Sequence, residues 1–320
     1  MIRMNVFRQN IRWIGAIAFV ALITGYQSMF AAPANFPSGS VVSITRGVSA
    51  PRIAQKLADA NIIAHPSLLR FVLRLSGTSD SVQAGAYRFD TPQNVFVVAF
   101  RLVTGAYGFP PVRITFPEGT TVREAAVQVA DALPGVKAKD FLKEAEPYEG
   151  YLFPDTYFFP PSADAASVVA SMRTNFNEKI APLSDEMNAS GRSLSDIVIL
   201  ASLVEKEART NTNKRIVAGI LFNRLKLGMA LQVDAVFGYI YGRDTYSPSF
   251  ADLTVDSPYN TYTHTGLPPG PIDNPGLESI EAVLNPKKTD YLYYLTGKDN
   301  LMHYATTYTG HQANRRKYLD

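Results

Sequence analysis

Glu205 and Glu207 end an almost continuous apolar run, Asp196-Ile-Val-Ile-Leu-Ala-Ser-Leu-Val-Glu-Lys-Glu-Ala208. The run follows Ser193-x-x-Asp196, which reads as a capping box opening a helix. A helix that is apolar nearly all round belongs in a protein interior. A carboxyl group at the end of a buried helix is hard to ionise, so its pKa rises and it keeps its proton near neutral pH. A general acid requires that state. Glu207 continues the face of Leu200, Leu203 and Val204, but Glu205 follows Val198 and Ala201 equally well. Periodicity therefore leaves both glutamates open. With Lys206 and Arg209 beside them, both could also be ordinary solvated carboxylates.

Other polar residues cluster downstream. Leu231-Gln232-Val-Asp234 supplies an amide and a carboxylate just after Gly228. The stretch Ser257-Pro-Tyr-Asn-Thr-Tyr-Thr-His-Thr-Gly-Leu-Pro-Pro-Gly270 is rich in tyrosine, hydroxyl and amide groups and is stiffened by three prolines. Sugars are held by such groups, through planar hydrogen bonds and aromatic faces. Tyr259, Asn260 and Tyr262 are candidates on this loop. Asn223 and Arg224 lie in a helix expected to be capped near Thr212 or Asn213 and to stop at Gly228. Its apolar face carries Val217, Ile220, Leu221 and Leu225. The run Glu149-Gly-Tyr-Leu-Phe-Pro-Asp-Thr-Tyr-Phe-Phe-Pro160 has the aromatics of a sugar platform, although buried packing is the commoner fate of such residues.

Several chemistries are excluded. The chain has no cysteine, hence no disulfide, thiolate metal site or cysteine nucleophile. Its four histidines show no metal-ligand spacing, and no P-loop, GxGxxG or GxSxG string occurs. No cofactor and no metal are expected. A net charge of +3 with scattered basic residues gives no nucleic-acid signature.

The elements that must position these residues come from 320 residues, 46% hydrophobic and 18% charged, a globular composition. The pattern implies an α+β fold. Val42-Ser-Ile-Thr45, a turn at Gly47, a Ser49 cap and a helix through Ala60 are echoed by Val112-Arg-Ile-Thr115, Gly119, a threonine cap and a helix through Ala132. Between these lie a helix over Leu68 to Leu75, a strand at Gly85-Ala-Tyr-Arg-Phe89 and a helix capped near Thr91-Pro92. A helix over Ala165 to Lys179 follows the aromatic run.

Arg3, Arg8 and Arg12 precede an uncharged stretch, residues 13–32. Twenty helical residues span about 30 Å, one hydrocarbon core. The arginines predict a cytoplasmic N-terminus (residues 1–12), a single transmembrane helix (13–32) and an exported remainder. A cleaved signal peptide ending near Ala31, Ala32 or Ala34 is the rival reading, and it exports the same remainder. Residues 33–40 read as a linker.

Together these strings resemble the MltG (YceG-like) family of endolytic murein transglycosylases. The resemblance rests on Glu149-Gly-Tyr-Leu-Phe-Pro-Asp-Thr-Tyr157, Ala201-Ser-Leu-Val-Glu-Lys-Glu207, Leu221-Phe-Asn-Arg-Leu225 and Leu231-Gln-Val-Asp234. It continues through Tyr259-Asn-Thr-Tyr262, Gly266-Leu-Pro-Pro-Gly270, Asn274-Pro-Gly276 and Asn285-Pro286 before Tyr291-Leu-Tyr293. It covers nearly the whole chain. One departure is Gly310, where some relatives carry a polar or acidic residue; no effect on chemistry is expected from it. The resemblance implies a bacterial inner-membrane anchor, a LysM-like αβ subdomain over 41–140 and a periplasmic catalytic domain over 141–320. It selects Glu207 as the catalytic residue.

The implied reaction cleaves the MurNAc–GlcNAc β-1,4 bond of peptidoglycan strands to leave a 1,6-anhydroMurNAc end, terminating strand growth beside peptidoglycan synthases. Asn223, Gln232, Asp234, Tyr259, Asn260 and Tyr262 are the candidate substrate contacts. A second carboxylate at Asp234 would make a hydrolase conceivable. A non-catalytic peptidoglycan-binding adaptor is the other alternative.

Overall fold

The computed structural model describes Gly25, residues 29–243 and residues 247–320. Most of the expected membrane segment lies outside the described residues, and among the described residues no helix is long and apolar enough to cross a membrane. The fold is mixed α+β. The chain divides into two compact units, residues 1–111 and 112–320.

The first unit runs β1 (Ser40–Ile44), α1 (Ala50–Asp59), α2 (Pro66–Leu75), β2 (Gly85–Phe89) and α3 (Val95–Thr104). β1 and β2 pair antiparallel, with Val42 opposite Tyr87. Strand alternation turns Val42 and Ile44 inward and Ser43 outward. Ile53 and Leu57 of α1 and Leu69 and Leu73 of α2 close the core over Tyr87 and Phe89. The buried Tyr87 hydroxyl is satisfied by the Gln83 and Leu102 carbonyls, at 2.7 and 3.2 Å. Helix α3 is capped by Asn94, which accepts from the Val97 amide, rather than near Thr91. Asparagine is the stronger cap, so the helix starts there.

The second unit opens with the same order: β3 (Val112–Thr115), α4 (Val122–Ala132), α5 (Ala138–Ala145) and β4 (Thr156–Phe159). β3 and β4 pair antiparallel. The repeat legible as strand–turn–helix is thus a β–α–α–β unit each time. The sequence reading divides the chain after residue 140; the compact units part at 111/112, because β3 finds its partner in β4. Thr121 and Glu124 form a reciprocal capping box on α4. The aromatic run after Glu149 turns largely inward: Leu152, Phe153 and Phe159 are buried, while Phe158 is exposed. Gly150 has φ +85°, and a Cβ there would meet Pro271 at 2.5 Å, so only glycine fits.

The rest of the unit is α6 (Ala165–Ile180), α7 (Ser184–Ser190), α8 (Leu194–Glu207), α9 (Asn211–Lys226), α10 (Ala235–Tyr241), α11 (Leu277–Leu284), β5 (Tyr293–Thr296), β6 (Met302–Ala305) and α12 (Tyr308–Tyr318). Helix α8 is the central element. Every residue from Ile197 to Val204 is buried, against α9 and α11. Each fully buried Leu, Ile or Val there contributes about 1.5–3 kcal/mol. Ser193 caps its start, accepting from the Asp196 amide at 3.0 Å. Buried Ser202 is satisfied by the Ile199 carbonyl and the Ile272 amide. Helix α9 is capped by Thr210, earlier than the expected Thr212 or Asn213, because α8 ends at Glu207 and Ala208 is already extended.

Candidate active site

Glu207 is the last residue of α8, where the chain leaves the helix through Ala208 at φ −140° and ψ 139°. The negative end of the helix dipole lies at this terminus and disfavours a carboxylate. Glu207 lines a groove of about 700 Å³. Arg224 of α9, Gln232 and Asp234 before α10, Tyr262 of the long loop, Tyr293 and Tyr294 of β5, and Tyr308 and His311 of α12 line it too. Burial pushes the Glu207 carboxyl up to about 7, and the charge of Asp234 works in the same direction. Hydrogen bonds from the Tyr294 hydroxyl and the Ala235 amide, with the charge of Arg224, work against it. Glu207 thus keeps its proton to far higher pH than an ordinary glutamate, and donors stand ready for its anion.

The groove is braced from below. Arg224 is buried and donates to the Leu292 carbonyl at 2.7 Å, the Leu231 carbonyl at 2.8 Å and the Gln232 side chain at 3.2 Å. One guanidinium therefore ties α9 both to Leu292, at the entry to β5, and to the irregular segment carrying Gln232 and Asp234. Gln232 adopts φ 49°, a left-handed backbone, and its amide donates to the Thr261 carbonyl. The Tyr262 hydroxyl donates to Asp234. Burial and the Asp234 hydrogen bond push the Tyr262 phenol above its ordinary range.

Glu205, two residues earlier, is differently placed. Its carboxylate accepts from Lys214 at 3.0 and 3.3 Å, from the Gly276 amide at 3.0 Å and from the Ser279 hydroxyl at 2.6 Å. It clasps the end of α8 to α9 and to the start of α11. Raised carboxyls also occur away from the groove. Burial lifts Glu149 to about 7, yet its oxygens accept from the Val122 amide and the Asn274 side chain. Asp273 is fully buried, with both carboxyl oxygens lacking a hydrogen-bond partner among the described residues, and burial holds its pKa well above the carboxylate range. A raised pKa alone does not mark a catalytic acid; its position in the groove distinguishes Glu207.

With this geometry in view, the model of the YceG-like family matches residues 42–317. The chain belongs to the YceG-like family. It is 31% identical to an endolytic murein transglycosylase of Bacillus subtilis strain 168, covering 89% of this chain and 84% of that one. An endolytic murein transglycosylase of Streptococcus pneumoniae serotype 2 strain D39 is 26% identical, over 96% of this chain and 65% of the relative. The crystal structure of a yceG-like protein from Listeria monocytogenes superposes with a TM-score of 0.59 at 30% identity, covering 86% of this chain and 99% of that one.

In this YceG-like chain the residues singled out by sequence divide into two groups. Glu207, Gln232, Asp234 and Tyr262 share one groove. Asn223, Tyr259 and Asn260 do not line it. The Asn223 amide donates to the Thr289 and Tyr291 carbonyls, pinning the approach to β5. Asn260 is fully buried; its amide donates to the Leu253 and Val255 carbonyls, and its oxygen accepts from the Tyr262 amide. Tyr259 packs its ring on Tyr239, 5.0 Å between centroids. Tyr259 and Asn260 thus shape the loop that presents Tyr262, while Asn223 serves β5.

Sequence reasoning missed Arg224, Tyr293, Tyr294 and His311 as groove residues. A signal existed for Arg224, a charge at helical spacing from Val217, Ile220 and Leu221 on an apolar face. His311 adjoins Gly310, whose amide completes the Thr307 cap of α12, so the departure noted in sequence borders the groove.

Proposed function

We propose that this protein is an endolytic murein transglycosylase that cuts peptidoglycan glycan strands with Glu207 as its single acid–base catalyst. The observation carrying the proposal is Glu207 itself: a carboxyl at a helix end, lifted to about 7, lining a groove in which donors await its anion. In the first step the protonated carboxyl gives its proton to the glycosidic oxygen between MurNAc and GlcNAc as the C1–O bond breaks. The resulting carboxylate, held by Tyr294 and the Ala235 amide, takes the proton from the MurNAc C6 hydroxyl as that oxygen attacks C1. A 1,6-anhydroMurNAc end is left and no water is consumed. One protein carboxyl suffices because the second nucleophile belongs to the substrate, unlike the two-carboxylate glycosidase scheme. Gln232 and Tyr262 supply hydrogen bonds and an aromatic edge to the sugar.

The anchor, compartment and subdomain belong to the same proposal. The arginine-flanked uncharged segment 13–32 supports a single-pass anchor in the bacterial inner membrane, with the folded units in the periplasm. The β–α–α–β order of the first unit supports its reading as a LysM-like glycan-binding subdomain. Termination of nascent strands beside a synthase follows from an endolytic enzyme held at that membrane.

Asp234 favours a second reading, a strand hydrolase, because its charge acts on Glu207 within one groove. Incubation of purified glycan strands with wild-type protein and Glu207→Gln tests the proposal. Strand shortening by wild type alone is expected; shortening by neither would leave a binding adaptor.

A further inference from the structure

The first unit carries an apolar surface that its own core does not use. Helix α2 buries Leu69 and Leu73 on one side and presents Phe71, 59% exposed, and Leu75, 77% exposed, on another. Helix α3 presents Phe96 and Phe100, 43% and 66% exposed. Phe30 stacks on Phe96 with centroids 5.1 Å apart, so the chain entering the unit joins the same face. A shallow cavity of about 780 Å³ opens there, lined by Met29, Phe30, Leu68, Phe71, Leu75 and Phe96 among others. Soluble proteins rarely leave an apolar patch of this kind in water.

We infer that this face rests on the membrane that holds residues 13–32. The inference depends on the anchor reading above. The occupant is identified by what adjoins the face and by charge. Residues 13–28, immediately preceding Met29, contain no charged side chain, so a chain that leaves the bilayer at this point delivers Met29 and Phe30 at its surface. Arg70 and Arg74, one turn apart on α2 and exposed, flank the stripe of Phe71 and Leu75. Apolar side chains entering the acyl boundary beside arginines reaching anionic headgroups is the chemistry of an interfacial amphipathic helix. Arginine stems can lie along the apolar surface while the guanidinium stays in the headgroup layer. The tether makes docking intramolecular, so a patch too small to bind a membrane alone is sufficient. Phe36 packs on the core of the first unit and the Gly39 amide donates to the Phe89 carbonyl, so docking of this face fixes the unit against the bilayer directly after the anchor.

The absence of cysteine makes the test direct. The full chain is reconstituted in vesicles of phosphatidylethanolamine and phosphatidylglycerol, with a nitroxide on one introduced cysteine at a time. Ala21→Cys probes the anchor, Ser67→Cys the rim of the apolar face, and Ser43→Cys the outer side of β1. Accessibility to oxygen and to a water-soluble nickel chelate is then measured. The expected result is oxygen-dominated accessibility at Ala21→Cys and Ser67→Cys and nickel-dominated accessibility at Ser43→Cys. Adding Phe71→Ser and Leu75→Ser should return the Ser67→Cys label to water while leaving Ala21→Cys in the bilayer. A nickel-accessible label at Ser67→Cys with Ala21→Cys in the bilayer overturns the docking alone. A label at Ser67→Cys shielded from both reagents also overturns it, because protein then covers the face. Water at Ala21→Cys overturns the anchor reading and the docking with it.

Discussion

Glu205 and Glu207 leave the same turn of α8 for opposite fates: Glu205 is held 3.0 Å from Lys214, while Glu207 lines the groove beside Asp234 and Arg224. One carboxylate is a clasp and the other is free to exchange a proton with a ligand. The separation follows from helix geometry, since residues two apart point about 200° from each other around the axis.

The two glutamine variants should therefore differ in kind. Glu207→Gln should fold normally and lose roughly 10²–10⁴-fold or more in strand-cleavage rate. Glu205→Gln leaves the nearly inaccessible Lys214 without its closest counter-charge and should lower stability by about 3–5 kcal/mol. Its folded fraction should still cut strands. Denaturant melts beside turnover assays at low temperature separate the two effects; an inactive but fully stable Glu205→Gln would contradict the assignment.

Tyr294 donates to the Glu207 anion and so holds its pKa down. Tyr294→Phe should raise the Glu207 pKa and move the limb where kcat/KM falls with rising pH to a higher value. The rate plateau should also drop, because the carboxylate loses a positioning donor. A pH–rate profile reads both, and an unmoved limb would detach Tyr294 from the proton-transfer step.

Stability carries the same information. Glu207 holds its proton more tightly when folded, at about 7 against 4.5 for an ordinary glutamate carboxyl. Its contribution is therefore full below about pH 4.5 and is lost as pH rises through about 7. Glu207→Gln lacks this loss, so relative to wild type it should gain on the order of 2–3 kcal/mol between pH 4 and pH 8. Urea midpoints at the two pH values test it. Glu149 and Asp273 share the sign but remain in both proteins and cancel.

Asn260 looks in sequence like a sugar ligand and in the structure is a buried staple. Asn260→Ala should destabilise the protein by about 2–4 kcal/mol, since backbone groups lose their partners. The effect on KM of the folded fraction should be small, whereas Tyr262→Phe should change KM or kcat without a large loss of stability.

Much of this was legible in the sequence for physical reasons. The capped apolar run fixed α8 to within two residues, because caps and a buried face leave local marks. The repeat disclosed two strand–helix units, but the antiparallel partners β2 and β4 lie too far along the chain for periodicity to pair them. Periodicity could not separate Glu205 from Glu207 either, since both continue apolar rows; the difference lies in Lys214, Gly276 and Ser279, which only tertiary folding brings together. Asn223 and Asn260 misled for a related reason. A side-chain amide, in the helix for Asn223 and in the loop for Asn260, carries the same signature whether it meets a ligand or a backbone carbonyl. The far wall, Tyr294 and His311, comes from the C-terminal hairpin and helix, whose arrival at α8 has no local signal.

The central claim is that Glu207 alone serves as acid and then base toward the substrate's own hydroxyl. Mass spectrometry of the new ends formed from purified glycan strands tests it most directly, with wild type and Glu207→Gln run side by side. The expected result is 1,6-anhydroMurNAc ends, one water lighter than reducing ends, from wild type and no new ends from Glu207→Gln. Reducing ends from wild type, or anhydro ends still formed by Glu207→Gln, would contradict it.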